Sequence, residues 1–166
     1  MRRLGSLLLV LVLMAGGYLA WRWLFPSDEH LIRQVLSTGA QEGSWNAAQS
    51  SLSQLAGPAR LAALCTIDVE VQLEAPGLAG RSIRGADEVR QLALAARANT
   101  PSCQVDLSDL SVALEPDRQA AVVQVVATAR IGGSEDPIVQ EFRIEMRKVD
   151  RRWKIARVEP VRGFGM

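Results

Sequence analysis

The sequence predicts an α+β fold, with helices on one face of a curved, mostly antiparallel sheet. One transmembrane helix is predicted to precede this domain in the chain. Three observations predict this arrangement. Residues 4–21 carry no charge, residues 28–64 repeat apolar side chains at helical spacing, and most of the chain after residue 103 alternates apolar with polar residues as strands do. The chain has 166 residues, which suits one domain with a core of its own.

The N-terminal segment has the length and composition of a membrane anchor. Leu4 to Trp21 are 18 uncharged residues. As a helix rising about 1.5 Å per residue they span about 27 Å, close to the thickness of the hydrocarbon layer. Trp21 and Trp23 stand at the end where aromatic rings favour the membrane interface, and Arg2 and Arg3 favour an N-terminus on the inner side.

A cleaved signal peptide is the alternative interpretation of this segment. Its cleavage site would be the small residues 15–17. The apolar run is longer than a typical signal peptide has, so we expect a transmembrane anchor over residues 1–25. Residues 26–166 then form one domain.

Two helices are predicted after the anchor. Ser27 is followed by two acidic residues and predicts the N-cap of a helix that runs to Gly39. Ser44 is expected to cap a second helix, and Gly57 with Pro58 to stop it, with one further turn beyond them.

A strand, a short strand and a third helix are expected next. Residues 67–73 alternate, and their apolar positions, beginning with Ile67, are predicted to be buried. Residues 81–84 predict a short strand. Gly85 then opens a helix that ends at residues 99–101.

Four long strands complete the predicted sheet. In the first, the apolar positions change parity near Ser108 and Asp109, which predicts a β-bulge. Residues 121–129 are apolar on both faces, which is typical of a central strand. Residues 138–147 alternate apolar with mostly charged positions, and a turn at residues 150–151 leads into the last strand.

The charge distribution argues against a nucleic-acid partner. The net charge is +1, but residues 1–25 contribute +3, so residues 26–166 carry −2. Affinity for nucleic acid comes mainly from cations. No metal or cofactor is expected either, because the only histidine, His30, has no neighbours at metal-ligand spacing and the glycines at 132–133 lack the context of a phosphate loop.

The chain has two cysteines, Cys65 and Cys103, both outside the anchor. In an oxidising compartment they could form a disulfide, and in a reducing one they would be two small buried thiols. The sequence leaves both alternatives open.

The order of elements, together with two motifs, resembles the nuclear transport factor 2-like superfamily. The motifs are Ser-Ile-Arg-Gly-Ala-Asp-Glu-Val at 82–89, where the third helix starts, and Val-Asp-Arg-Arg-Trp-Lys-Ile-Ala-Arg-Val-Glu at 149–159, where a charged turn leads into the last strand. The resemblance implies a cone-shaped domain, often dimeric, with three helices and a pocket on the concave side of the sheet. The superfamily includes enzymes similar to ketosteroid isomerase and SnoaL, and also non-catalytic domains of single-span bacterial envelope proteins.

The chemistry that the resemblance implies lacks its residues here. Ketosteroid isomerase combines an aspartate base with a tyrosine donor, and the only tyrosine, Tyr18, lies in the anchor. At the position expected for the base, Glu74 is the only carboxylate, and it shares the polar face of its strand. We therefore expect no catalytic residue. An enzyme would need one buried carboxylate among five acids: Asp68, Glu70, Glu74, Asp106 and Asp109.

The resemblance also implies a homodimer that pairs through the convex face of the sheet. Val122 and Val126 would form its apolar centre, while Arg143 and Arg147 would meet acidic residues of the second copy. A solvated, charged sheet face is the plainer alternative.

These observations favour a membrane-tethered, non-catalytic binding or assembly module of the bacterial cell envelope, with its domain on the periplasmic or extracytoplasmic side of the inner membrane. The expected partners are the membrane, a second copy and an envelope protein complex. A tethered lyase or isomerase that uses the cone pocket is the alternative function.

Overall fold

The structure is a computed structural model that describes residues 27–161, except 47, 49–50, 74–80, 133 and 135. The expected anchor, residues 1–25, lies outside the described residues, and so does Glu74. None of the helices in the described part is long and apolar enough to cross a membrane.

The described residues form three helices and six strands. The helices are α1 (Asp28–Gly43), α2 (Ser51–Ala63) and α3 (Ala86–Asn99). The strands are β1 (Cys65–Leu73), β2 (Arg81–Arg84), β3 (Cys103–Leu114), β4 (Ala120–Ile131), β5 (Ile138–Val149) and β6 (Arg152–Pro160).

The strands form one sheet in the order β2-β1-β6-β5-β4-β3. The neighbours β1 and β6 run parallel. The pairs β1–β2, β3–β4, β4–β5 and β5–β6 are antiparallel. The predicted α+β class is confirmed, and β4 is an interior strand between β3 and β5.

The helices cover one face of this sheet, which we call the helix-covered face. Ile32 and Leu36 of α1 are buried against it, and Ala86 and Val89 of α3 pack on the same core. Burial of each large apolar side chain contributes about 1.5–3 kcal/mol. The sheet residues of this core are Cys65, Val69, Ala121, Val123, Val125, Ile144, Met146, Trp153 and Ile155.

The other face of the sheet, which we call the open face, carries the side chains that alternate with the core positions. It includes Val122, Glu145, Arg157, Glu70 and Arg84, which are successive cross-strand partners. This is the face that the sequence analysis expected to be convex.

Ser44 ends α1 and does not cap α2, so the predicted start of the second helix is wrong. The Ser44 hydroxyl donates to Ala40 O at 2.7 Å and accepts from Val105 N–H at 2.9 Å. Trp45 pairs with Cys103 at the edge of the sheet. The segment after Ser44 is thereby held against β3, and α2 begins only at Ser51.

Pro58 lies inside α2, so the expected stop at this residue is also wrong. Proline has no N–H, which in a regular helix would bond to Gln54 O. Arg97 of α3 takes its place, because Nη1 donates to Gln54 O at 2.8 Å. The second arm, Nη2, donates to Glu42 O near the end of α1. A Cβ at Gly57 would overlap this guanidinium, so the glycine gives it room.

The predicted burial pattern of β1 fails at Ile67, which is 90% exposed. The pairing of β1 with β6 explains this. Cys65 lies opposite Ile155 and Glu70 opposite Arg157, so the register advances further along β1 than along β6. The extra residues of β1 leave the ladder as an irregular bulge, and Ile67 turns outward with them.

Three local predictions are confirmed. Ser27 caps α1, with its hydroxyl accepting from His30 N–H at 3.3 Å. The register of β3 against β4 shifts between Ser108 and Ser111, which is the predicted bulge. Asp150 and Arg151, at φ 49° and 63°, form the two-residue turn between β5 and β6.

Candidate functional site

A ladder of alternating charges crosses the open face. Glu145 on β5, Arg157 on β6, Glu70 on β1 and Arg84 on β2 lie side by side. Glu70 accepts from Arg84 Nε and from Arg157 Nη2, both at 2.8 Å. Opposite charges on neighbouring strands stabilise a sheet, and they leave this half of the open face strongly polar.

An open cleft of about 620 Å³ lies on this ladder, beside the irregular register of β1 against β6. Ala156 forms part of its floor, and Gly85 N–H donates to Val69 O at 2.7 Å beside it. Both charge signs line the cleft. Its charged residues are Asp68, Glu70, Arg84, Glu145, Arg147 and Arg157.

The carboxylates in the cleft differ in how they are paired. Asp68 accepts from Arg147 Nη2 at 3.0 Å, and the Thr66 hydroxyl and the Arg147 guanidinium lower the pKa of the Asp68 carboxyl. Within the described part of the chain, the ion pair of Glu145 is a single long contact, 3.9 Å to Arg143 Nη2. Glu145 is therefore the more available carboxylate for a partner cation.

The four residues predicted to form an interface lie together on the open face. Val122 and Val126 on β4 are partly exposed, and Arg143 and Arg147 on the adjacent β5 are exposed. The two valines of β4 thus lie between the charge ladder and the small and polar residues of β3 on the same face. An apolar centre with a charged border is the composition of a modest protein interface.

Among the described residues, the carboxylates considered for catalysis do not enter the helix-covered face. Asp106 is exposed and pairs with Arg130 Nη1 at 2.9 Å. Asp109 is exposed at the β3 bulge. Asp68 and Glu70 belong to the cleft on the open face, and Glu74 lies outside the described residues. His30 is exposed on α1.

One partly buried charge cluster was not predicted from the sequence. Asp28 Oδ1 accepts from Lys148 Nζ at 2.7 Å and from Trp153 Nε1 at 3.0 Å, and the Lys148 ammonium lies 4.9 Å from the centre of the Trp153 ring. The hydrogen bond from Lys148 is the main cause that lowers the pKa of the Asp28 carboxyl. A buried indole N–H needs an acceptor. Trp153 was therefore the signal in the sequence that could have revealed a polar partner here.

Both cysteines are free thiols in this structure. Burial raises the pKa of Cys65 to about 11 and also raises the pKa of Cys103. They begin β1 and β3, which are separated by β6, β5 and β4 in the sheet. Within the described part of the chain, no group of three or more His, Cys, Asp or Glu side chains could hold a metal ion.

Solved structures show the fold to which the chain is similar. A nuclear transport factor 2-like protein with a cystatin-like fold from Novosphingobium aromaticivorans has a TM-score of 0.65 at 17% identity, over 89% of this chain and 90% of that one. A protein from the same organism, provisionally named a scytalone dehydratase, has a TM-score of 0.62 at 18% identity, over 81% and 85%.

A third structure, a domain of unknown function with a cystatin-like fold from Nostoc punctiforme, has a TM-score of 0.63 at 16% identity, over 86% and 81%. No protein-family model and no curated protein matches the sequence. The chain therefore has the nuclear transport factor 2-like, cystatin-like fold, as the resemblance of its motifs implied.

Proposed function

We propose that the chain is a membrane-tethered, non-catalytic binding or assembly module of the bacterial cell envelope. The observation that carries this proposal is the filling of the helix-covered face. Val69, Val123 and Met146 in the middle of that face are 0% exposed, and Ile32 of α1 is also 0% exposed above them. Apolar side chains therefore fill the middle of the face on which the resemblance implied a pocket.

The charge pattern supports the same proposal. Proton transfer near neutral pH uses a carboxyl group whose pKa an apolar site has raised. Here the pKa of Asp28 and the pKa of Asp68 are both lowered, by Lys148 and by Thr66 with Arg147 respectively. Such carboxylates stay ionised and suit ion pairing better than acid–base catalysis.

The open face is the proposed binding surface. It offers Val122 and Val126 beside Arg143 and Arg147, and Glu145 is available for a cation. We propose that a second copy of the chain binds there, because the face carries both charge signs and a two-fold axis repeats each favourable contact. Other envelope proteins are further proposed partners.

The start of α1 supports a short tether. Ser27 caps the helix directly after the proposed anchor, and Lys148 and Trp153 hold Asp28. Few residues then separate the membrane from the domain. The proposed location is the periplasmic or extracytoplasmic side of the inner membrane, and protease protection in spheroplasts tests it.

A tethered lyase or isomerase remains the second candidate. The similarity to a structure provisionally named a scytalone dehydratase favours it. This alternative requires the helix-covered face to open for a substrate, which would expose the buried core around Met146.

Site-specific photo-crosslinking in membranes tests the binding surface. A benzophenone amino acid at Gln124, which is exposed on the open face, is expected to give an adduct at twice the mass of the chain. The matched control is the same amino acid at Ala98, which is exposed on α3. Adducts from Ala98 without adducts from Gln124 would contradict the proposal.

A further inference from the structure

The two edges of the sheet differ in length and in how they are closed. The β2 edge has four residues, and Arg84 N–H at this edge donates to the Glu88 carboxylate at 2.9 Å. The opposite edge, β3, has 12 residues. Proteins commonly protect a long edge strand, because its unpaired N–H and C=O groups are a template for another strand.

The first part of the β3 edge already has partners from within the chain. Cys103 N–H donates to Trp45 O at 2.9 Å, and Trp45 N–H donates to Cys103 O at 2.8 Å. Val105 N–H donates to the Ser44 hydroxyl at 2.9 Å. The start of this edge therefore already pairs with another segment of the chain, through one antiparallel bridge and one hydroxyl group.

Beyond the bulge, the pairing with β4 shows which groups face outward. Glu115 N–H donates to Ala120 O at 3.0 Å, so Ser111, Ala113 and Glu115 direct their backbone groups toward β4. Because strand residues alternate, Val112 and Leu114 direct theirs away from the sheet. No described residue is hydrogen-bonded to these outward groups.

We propose that residues 110–114 of β3 are a strand-addition site for an extended segment of a partner polypeptide with Lys or Arg at both ends of its pairing strand. The proposal extends the binding function proposed above to a second surface. Residues 110–114 carry no charge. Asp109 and Glu115, which flank them, are both exposed acids.

The flanking acids disfavour a second copy as the occupant of this edge. In an antiparallel pair related by a two-fold axis at Val112, Asp109 of each copy would lie opposite Glu115 of the other. Like charges in directly opposite positions destabilise a strand pair. A strand with basic ends gains two favourable contacts instead. Asp109, at φ 50° in the bulge, ends the pairing segment on one side.

Peptide binding to the full chain in nanodiscs tests the proposal, with empty nanodiscs as the blank. The probe is a fluorescent peptide of sequence KTVTVTK, followed by anisotropy, and the control is ETVTVTE. We expect KTVTVTK to bind about tenfold more tightly than ETVTVTE. Equal binding of the two peptides, or no binding of either, overturns the proposal.

N-methylation tests the backbone contact without altering the protein. Alternate amides of a strand face opposite sides, so methyl groups on one alternating set should abolish binding and those on the other set should not. Equal effects of the two sets overturn strand addition. Val112→Pro, which removes an outward N–H and keeps the ladder to β4, should reduce affinity about tenfold.

Charge reversal at the flank gives a matched pair of variants. Glu115→Lys should remove the preference for KTVTVTK, whereas Asp136→Lys, the same change on an exposed loop, should leave it intact. A wild-type dimer that Val112→Pro dissociates would make a second copy the occupant and overturn the proposal. The crosslinking test concerns the open face, so its failure is distinguishable from failure at this edge.

Discussion

Met146 and Arg147 are adjacent on β5 and show how differently the two faces of the sheet are used. Met146 points into the helix-covered face and is 0% exposed. The Arg147 side chain points to the open face and is 53% exposed, and it pairs with Asp68 in the charged cleft. The helix-covered face accounts for most of the stability, whereas the open face presents groups that a partner can bind. The residues that can bind a partner thus lie on one face of the sheet, and the core lies on the other.

The largest expected loss of stability comes from a substitution on the helix-covered face. Met146→Ala should lower the free energy of unfolding by about 2–5 kcal/mol, because it leaves a cavity among well-packed neighbours. Arg147→Ala, the matched control one residue along, should change it by less than about 1 kcal/mol, because exposed ion pairs contribute little. Urea denaturation measures both. Similar losses for the two variants would contradict the assignment of stability to one face.

A second comparison uses one arginine from the helices, Arg97, and one from the open face, Arg84. Arg97→Ala should lower the free energy of unfolding by about 1–3 kcal/mol, because Gln54 O and Glu42 O lose their donors. In a Pro58→Ala background the new N–H bonds to Gln54 O, so the same substitution should cost about 1 kcal/mol less. Arg84→Ala, on the open face, is the control and should cost less than about 1 kcal/mol. Equal costs of Arg97→Ala in both backgrounds would refute the role assigned to Arg97.

The pH dependence of stability sharpens the comparison between a partly buried carboxylate and an exposed one. Asp28→Asn should lower the free energy of unfolding by about 1–2 kcal/mol at neutral pH, because Lys148 loses its partner. The folded-state pKa of Asp28 is lowered. Its contribution is therefore present above the unfolded-state pKa of about 3.9 and is lost as the pH falls through the folded-state pKa.

Urea unfolding between neutral and acidic pH measures this dependence. The difference between wild type and Asp28→Asn should shrink in acid. Asp106→Asn, which alters an exposed ion pair with Arg130, is the matched control and should show a small difference throughout. A constant difference for Asp28→Asn would exclude the proposed ion pair as its cause.

Local sequence patterns predicted the features that depend on neighbouring residues. The change of parity at Ser108 and Asp109 predicted the β3 bulge, and Ser27 predicted the first cap. Sequence patterns failed where contacts between segments far apart in the chain determine the local structure. Pro58 is tolerated because Arg97, on another helix, supplies a donor. Ile67 is exposed because of how β1 pairs with β6, which alternation within β1 does not reveal.

The candidate site was predictable to a similar extent. Alternation along β4 and β5 placed Val122, Val126, Arg143 and Arg147 on one face. The cleft could not be predicted, because it lies at the irregular pairing of β1 with β6, and that pairing joins segments far apart in sequence. The Asp28 cluster likewise joins the start of α1 to β5 and β6.

Sedimentation of the fragment from Ser27 onward tests most directly whether the open face is a binding surface. We expect a dimer at tens of micromolar that Val126→Glu converts to a folded monomer. Ala98→Glu, on the exposed side of α3, is the control and should remain dimeric. A wild-type monomer at that concentration, unchanged by Val126→Glu, would contradict the assignment of the open face as a binding surface.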